Sequence, residues 1–346
     1  MNITAGKIMV KTILLNEFST EELKSHFDMV QRIQNKFNPE SFDPDETPED
    51  WKKEWYKFYE AYKGKSFEQY SIFFDGVSVG WIGFMLDSRS ASFNFNFDSE
   101  KISHTLLRVM LCKTHEYMLK YDIKEIYHWT FEERNIAALK SIEAEIQEEM
   151  INTRILRSEM SKDFYNSIVS KTNTTGYRLM FCEELSEELY DNFTTLMYEI
   201  LEDYRSLNPV KQNRKRMEKE DWKLRDNSEK LSGAKMLMYM LMTPENEIAA
   251  YCSLYVDKDN KETIRHSGGF TAVARAHRGK GFARYLKAKM YLKLLEENSD
   301  FTNIETDTMQ WNTHMYRINE DFGFKPFKYG YEFKLTSDFI KNYINL

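Results

Sequence analysis

Several features are scarce in this chain, and each scarcity excludes a class of protein. Cysteine occurs three times, at Cys112, Cys182 and Cys252. The three are far apart and form no Cys-x-x-Cys pair, which excludes a zinc ribbon and a disulfide framework. Reduced, mostly buried thiols are the expectation, and no metal is expected. Long apolar runs are missing too. The longest strongly apolar run, Met236 to Met242, falls well short of the ~20 residues that cross a bilayer. Met1 to Glu17 lacks the basic-then-apolar layout of a signal peptide, so a cytoplasmic location without a membrane partner is expected. Basic charge is in deficit, with 48 Lys and Arg against 55 Asp and Glu. That balance is the reverse of a nucleic-acid binder's, and no nucleic-acid partner is expected.

What is present suits a folded protein. The 346 residues suggest two domains. Apolar residues at 42% and charged residues at 30% are ordinary for a globular chain. The 24 Phe and 21 Tyr can fill an interior and line a cleft.

The chain repeats itself. Glu49-Asp50-Trp51-Lys52 recurs as Glu220-Asp221-Trp222-Lys223, and Asn38-Pro39 as Asn208-Pro209. Glu17-Phe18-Ser19 followed by Glu21-Glu22-Leu23 matches Glu184-Leu185-Ser186 followed by Glu187-Glu188-Leu189. The matches keep their order, so the sequence predicts two copies of one unit, 1–170 and 171–346, joined by the polar stretch Ser170 to Gly176. Each copy starts with a strand, Met9 to Leu15 and Tyr177 to Cys182. A helix follows, capped by Ser19 or Ser186 and ended by Asn-Pro. Hairpins follow at Tyr70–Phe74 with Val77–Met85, and at Met236–Met242 with Ile248–Val256. Strands and helices then alternate, which predicts an α/β (α+β) domain with a mixed sheet.

The stretch Gly268-Gly269-Phe270-Thr271-Ala272-Val273, then Ala274-Arg275-Ala276-His277-Arg278-Gly279-Lys280-Gly281-Phe282-Ala283-Arg284, reads as strand, tight loop and helix start. In the helix, Phe282, Leu286, Met290 and Leu294 form an apolar stripe, with Lys280, Arg284, Lys287 and Lys289 assigned to the opposite face. A helix N-terminus carries unpaired N–H groups and partial positive charge. Glycines 279 and 281 let the backbone approach a phosphate, and Arg278, Lys280 and Arg284 add charge. A Walker A loop is excluded because Ala274 stands where its first Gly belongs and Gly281, not Ser or Thr, follows Lys280. A dinucleotide fingerprint is excluded because Arg284 occupies the third small-residue position. Taken alone, the loop also fits a turn with a solvated basic face.

Arg278-x-x-Gly281-x-Ala283 resembles the Arg/Gln-x-x-Gly-x-Gly/Ala loop of the GNAT superfamily of N-acetyltransferases. Asn312-x-x-Met315-x-x-Ile318-Asn319-x-x-x-Gly323-Phe324 resembles the helix that closes the cofactor site in that superfamily, in a form similar to its tandem-domain, mycothiol synthase-like branch. The resemblance implies two tandem GNAT-like domains, each a mixed, mostly antiparallel sheet flanked by helices. It implies acetyl-CoA as acyl donor and a small-molecule amine as acceptor. It also implies a cofactor site made of Phe270, Thr271, Ala272, Val273, Arg278, Gly279, Lys280, Gly281, Phe282, Ala283, Arg284, Asn312 and Asn319. Backbone amides at Phe270 to Val273 would hold pantetheine and polarise the thioester carbonyl.

Candidate bases are His266, and Glu305 with Asp307, which share a strand face. A structural histidine and carboxylates that only bind a cationic substrate are the plainer readings. The family places a tyrosine acid where this chain has Asn319, and an amide cannot surrender a proton as a phenol does. Tyr316, one turn earlier, is the substitute candidate. The charged segment Tyr204 to Trp222, including Arg214-Lys215-Arg216, is the candidate for acceptor choice. In the first copy, Asn94 to Ile102 has no glycine and carries Asp98 and Glu100, so no acetyl-CoA is expected there. A trace of the closing helix persists as Asn135-x-x-Ala138. A non-catalytic acyl-CoA sensor and a tRNA-dependent aminoacyl transferase are the competing functions, and a monomer is expected.

Overall fold

The computed structural model describes residues 8–12, 17–37, 39, 42–61, 67–86, 90–207, 217–258, 260–266, 269–297 and 300–345. Gly268, Asn38, Asn208-Pro209 and Arg214 to Arg216 lie outside them. The chain forms two compact units, one of Met1–Glu149 with Gly330–Leu346, the other of Met150–Tyr329. The segment ahead of the polar stretch, Met150 to Lys171, therefore packs in the second unit, and the last 17 residues pack in the first. No described helix is long and apolar enough to cross a membrane.

The first unit runs β1 (Ile8–Thr12), α1 (Thr20–Phe37), α2 (Pro48–Ala61), β2 (Glu68–Phe74), β3 (Val77–Leu86), β4 (Ala91–Phe97), α3 (His104–Lys120), β5 (Glu125–Thr130) and α4 (Glu133–Ser141). The chain passes into the second unit within β6 (Glu145–Leu156). There it continues through α5 (Lys162–Lys171), β7 (Arg178–Cys182), α6 (Glu187–Leu207), α7 (Lys219–Leu231), β8 (Lys235–Met242), β9 (Ile248–Val256), β10 (Thr263–Arg265), β11 (Thr271–Val273), α8 (Phe282–Glu296), β12 (Asn303–Met309) and α9 (Thr313–Asp321). It returns within β13 (Lys325–Thr336) and ends with α10 (Ser337–Asn345).

The two units share one topology. In the first, β1, β2, β3 and β4 pair antiparallel in sequence, β4 joins β5 in parallel, and β5 pairs antiparallel with β13. In the second, β7, β8 and β9 pair antiparallel, and β9 pairs antiparallel with both β10 and β11. β10 joins β12 in parallel, and β12 pairs antiparallel with residues 150–156 of β6. Each sheet is thus mostly antiparallel with one parallel pair, as the resemblance implied. The run Met236 to Met242 forms β8, paired on both edges and buried at nearly every position, which explains its continuous apolarity.

Cap chemistry sets the helix starts. Ser19 Oγ accepts from Glu22 N at 3.2 Å while Glu22 reaches back to Ser19 N at 3.0 Å, a reciprocal capping box. Ser186 Oγ accepts from Leu189 N at 3.4 Å. Alternation then fixes the layers of the second unit. One face of its sheet, with Tyr251, Tyr255, Phe270 and Ala272, packs under α6 and α7 through Phe193 and Trp222. The other face, with Leu254 and Ile304, packs against α8 and α9.

The first unit buries two histidines that α1 and β5 carry inward. His26 Nδ1 lies 2.8 Å from Ser71 Oγ, and His128 Nδ1 lies 2.8 Å from the Phe93 carbonyl. Burial pushes their pKa values down to about 3 and about 4. The folded state keeps both neutral while the unfolded chain protonates them near pH 6.5. Stability present above pH 6.5 is therefore lost as pH falls toward 4, by about 1.4 kcal/mol per pH unit for each histidine. Hydrogen exchange of the β2–β4 segment at pH 7 and pH 5, corrected for intrinsic rates, is expected to show this loss. Equal opening free energies at the two pH values would contradict it.

Candidate acyl-coenzyme site

The loop before α8 is built for close approach. Gly279 and Gly281 hold φ of 77° and 79°, left-handed values that tax any side chain. A Cβ at Gly279 would meet nothing within 4 Å, and one at Gly281 would meet only Thr172, at 3.9 Å. Gly281 is the N-cap of α8, so the first N–H groups of a 15-residue helix open onto that space. The predicted cations surround it, each steered by a partner. Arg278 Nε donates to the Val273 carbonyl at 3.1 Å, and its guanidinium also pairs with Asp203 of α6. Lys280 donates to Tyr177 Oη at 2.8 Å, and Arg284 pairs with Asp321. Phe282 is buried against Tyr177, with ring centroids 4.8 Å apart, and Ala283 packs at the α8 core.

Upstream of the loop the sheet parts. β10 runs beside β12, and His266 N still donates to the Glu305 carbonyl at 2.7 Å. The chain then bulges: Arg265 opposes Tyr255 but Thr271 opposes Cys252, so five residues stand against two. Beyond the bulge β11 pairs with β9, while residues 306–309 of β12 pair with β6. Phe270 O accepts from Ser253 N, and Ala274 N donates to Ala249 O, so the even-numbered residues of β11 turn their hydrogen-bonding groups to β9. Thr271 and Val273 turn theirs to the gap. The pattern of Phe270 to Val273 showed a strand, but not the bulge, whose signal was Gly269: a Cβ there would sit 2.3 Å from Ser253 O.

The structure divides the predicted catalytic residues between the two faces. Glu305 and Asp307 point to the α6/α7 side, opposite Ile304 and Thr306. Glu305 is held by Arg154 Nε at 2.9 Å. His266 lies on the α8 side, buried, with Nδ1 3.1 Å from Tyr291 Oη and Nε2 3.1 Å from Thr271 Oγ1. Burial, with Lys287 nearby, holds it neutral far below its usual pKa. Asn312 caps α9, its side chain accepting from Met315 N at 3.2 Å. Asn319 is buried and donates to Thr308 Oγ1 at 3.0 Å. Tyr316 is half-buried on α9, its phenol pushed up by burial and then by Glu320. Lys287 corrects the helical-wheel reading: it is 1% exposed, because α8 is covered on most of its circumference and has no broad solvent face there. A separate cavity of about 430 Å³ among α6, α7 and β8, rimmed by Glu187, Lys223 and Lys230, includes none of these residues.

The first unit has the same parting, filled from within. β4 meets β5 only at Ala91–Ile126 and Ser92–Tyr127. Beyond that, the carbonyls of Phe93, Phe95 and Phe97 accept from His128 at 2.8 Å, Asn135 at 3.2 Å and Arg134 at 2.5 Å. Arg134 is buried, its guanidinium 3.5 Å from the Phe37 ring centroid. Asp98 pairs with Arg32, and Glu100 with Lys36.

Fold and site define a twice-repeated α/β domain whose second copy presents a parted strand edge and an open glycine turn at a helix N-terminus. Residues 194–324 match the Acetyltransferase (GNAT) family. No curated protein matches the chain by sequence. Among solved structures, a tandem GNAT protein from the clavulanic acid biosynthesis pathway is similar at TM-score 0.71 and 12% identity, over 96% of this chain and 99% of that one. A GCN5-related N-acetyltransferase from Sphaerobacter thermophilus is similar at TM-score 0.59 and 9% identity, over 95% and 96%. N-myristoyltransferase from Saccharomyces cerevisiae is similar at 0.52 and 14%, over 95% and 80%. The family match thus lies in the second unit, and the fold, present twice in tandem, is that of the tandem GNAT protein.

Proposed function

We propose that the second unit transfers an acyl group, with acetyl-CoA as the donor, directly to a primary amine of a small molecule. The observation that carries this reading is the continuity of three features: the strand edge of Thr271 and Val273 turned to a gap, the open glycine turn, and the α8 N-terminus. An extended pantetheine can hydrogen-bond along such an edge as an added strand. A pyrophosphate suits the turn, where no Cβ intrudes and Arg278 and Lys280 stand beside it. Glu305 and Asp307 on the α6/α7 side would attract the cationic amine, and a deprotonated amine would attack the thioester from that side. The family's use of acyl-CoA donors supports the assignment.

Asn319 favours a second reading, a non-catalytic acyl-CoA sensor, because its amide, which donates to Thr308, cannot surrender a proton to a leaving thiolate. Calorimetric titration with acetyl-CoA tests the shared part. One site per chain is expected, since side chains already occupy the first unit's strand edge; two sites would refute the silent first copy. Turnover across an amine panel then separates enzyme from sensor. A monomer is the expected assembly, checked by sedimentation.

A further inference from the structure

We infer that Lys287 is the group that receives the departing sulfur, its ammonium donating first a hydrogen bond and then a proton to the coenzyme A thiolate. This rests on the acyl-CoA reading above. Lys287 is the one buried lysine among the described residues, and it has no hydrogen bond or ion pair there. An unpaired ammonium taken out of water costs several kcal/mol, and natural proteins pair such charges or use them. The ring centroids of Tyr291 and Phe324, at 5.8 and 5.7 Å from Nζ, offset only part of that cost. An anion brought beside Nζ would offset the rest.

Its position says which anion. At a rise of 1.5 Å per residue, Lys287 stands about 8 Å along α8 from Phe282. A strand covers about 10 Å between Val273 and Phe270. Lys287 is therefore level with the bulge, where the chain leaves β12 and β11 begins. Its charge acts on His266 and Cys252, which line the α8 side of that bulge, with Cys252 Sγ 3.8 Å from His266 Nε2.

The neighbours cannot substitute. Cys252 of β9, His266 at the end of β10, Tyr291 on α8 and Tyr165 of α5 are the titratable groups around it. Burial pushes the thiol and both phenols up and the imidazole down, so none is charged near neutral pH. Burial also pushes Lys287 down to about 8, close to the ordinary thiol value of about 8.5, which suits proton transfer between them. In the step, the amine nitrogen forms the C–N bond and the C–S bond breaks with its electron pair going to sulfur. Nζ gives sulfur a proton, the amide sheds its extra proton to solvent, and the neutral lysine regains one from solvent.

The test needs no acceptor. The thiol of bound coenzyme A is titrated by thiolate absorbance in the wild type and in Lys287→Met, which keeps the length and removes the charge. The wild type is expected to make the bound thiol a stronger acid than the variant does by about tenfold or more. Equal thiol pKa values in two complexes of one-to-one stoichiometry would overturn the role of Lys287 and leave the acyl-CoA reading standing. Failure of the wild type to bind coenzyme A would remove both.

Discussion

Gly281→Glu is expected to weaken acetyl-CoA binding by about a hundredfold or more. The backbone at Gly281 has φ of 79°, and a side chain there costs about 1–2 kcal/mol, close to tenfold in affinity if the loop relaxes away from the cofactor geometry. The carboxylate then adds a charge beside the α8 N-terminus, where a pyrophosphate would be held. Because only Thr172 lies near the new Cβ, at 3.9 Å, the variant is expected to fold. Gly281→Ala carries the strain without the charge and should lose about tenfold. Calorimetric titration of both variants checks the pair, and normal affinity in Gly281→Glu would remove the loop from the cofactor site.

Trp222→Ala should destabilise the second unit by about 3–5 kcal/mol, or about 10 °C in its melting transition. The indole is 2% exposed, edge-on to Phe193 at 5.3 Å and to Phe270 at 5.8 Å. Arg225 lies over it at 4.9 Å. Truncation opens a cavity beneath α7 and unseats Phe270, the residue that leads into β11. Acetyl-CoA binding should therefore weaken along with stability. Trp222→Phe, which keeps most of the ring contacts and loses an Nε1 that has no hydrogen-bond partner, should retain most of both. Scanning calorimetry with and without acetyl-CoA reads the two effects. A loss under 1 kcal/mol in Trp222→Ala would contradict the packing described.

Local chemistry carried much of the fold into view. Ser19 and Ser186 cap helices because a hydroxyl can take an N–H that the helix leaves unpaired, a property readable from spacing. The hairpins at Tyr70–Met85 and Met236–Val256 follow from apolar runs bounded by polar turns. The glycines at 279 and 281 point to an anion seat because their freedom is intrinsic to the residue. The duplicated Glu-Asp-Trp-Lys start of α2 and α7 marks the repeat without any knowledge of contacts.

Other decisions needed partners distant in the chain. Segment 150–171 packs with the second unit because Ile155 and Tyr165 enter the same core as Tyr291 and Ile304, and no local composition encodes that choice. The gap at the first copy's β4 edge is closed by Arg134, Asn135 and His128, which reach carbonyls 35 to 40 positions away. Lys287 looked like a surface residue because helical period assigns a face but not what covers it. The sequence by itself determined the repeat, the elements and the glycine turn, since these depend on residues within a few positions of one another. Tertiary structure decided which strand edge is filled by buried side chains and which lysine is buried, since both depend on contacts between segments far apart in the chain.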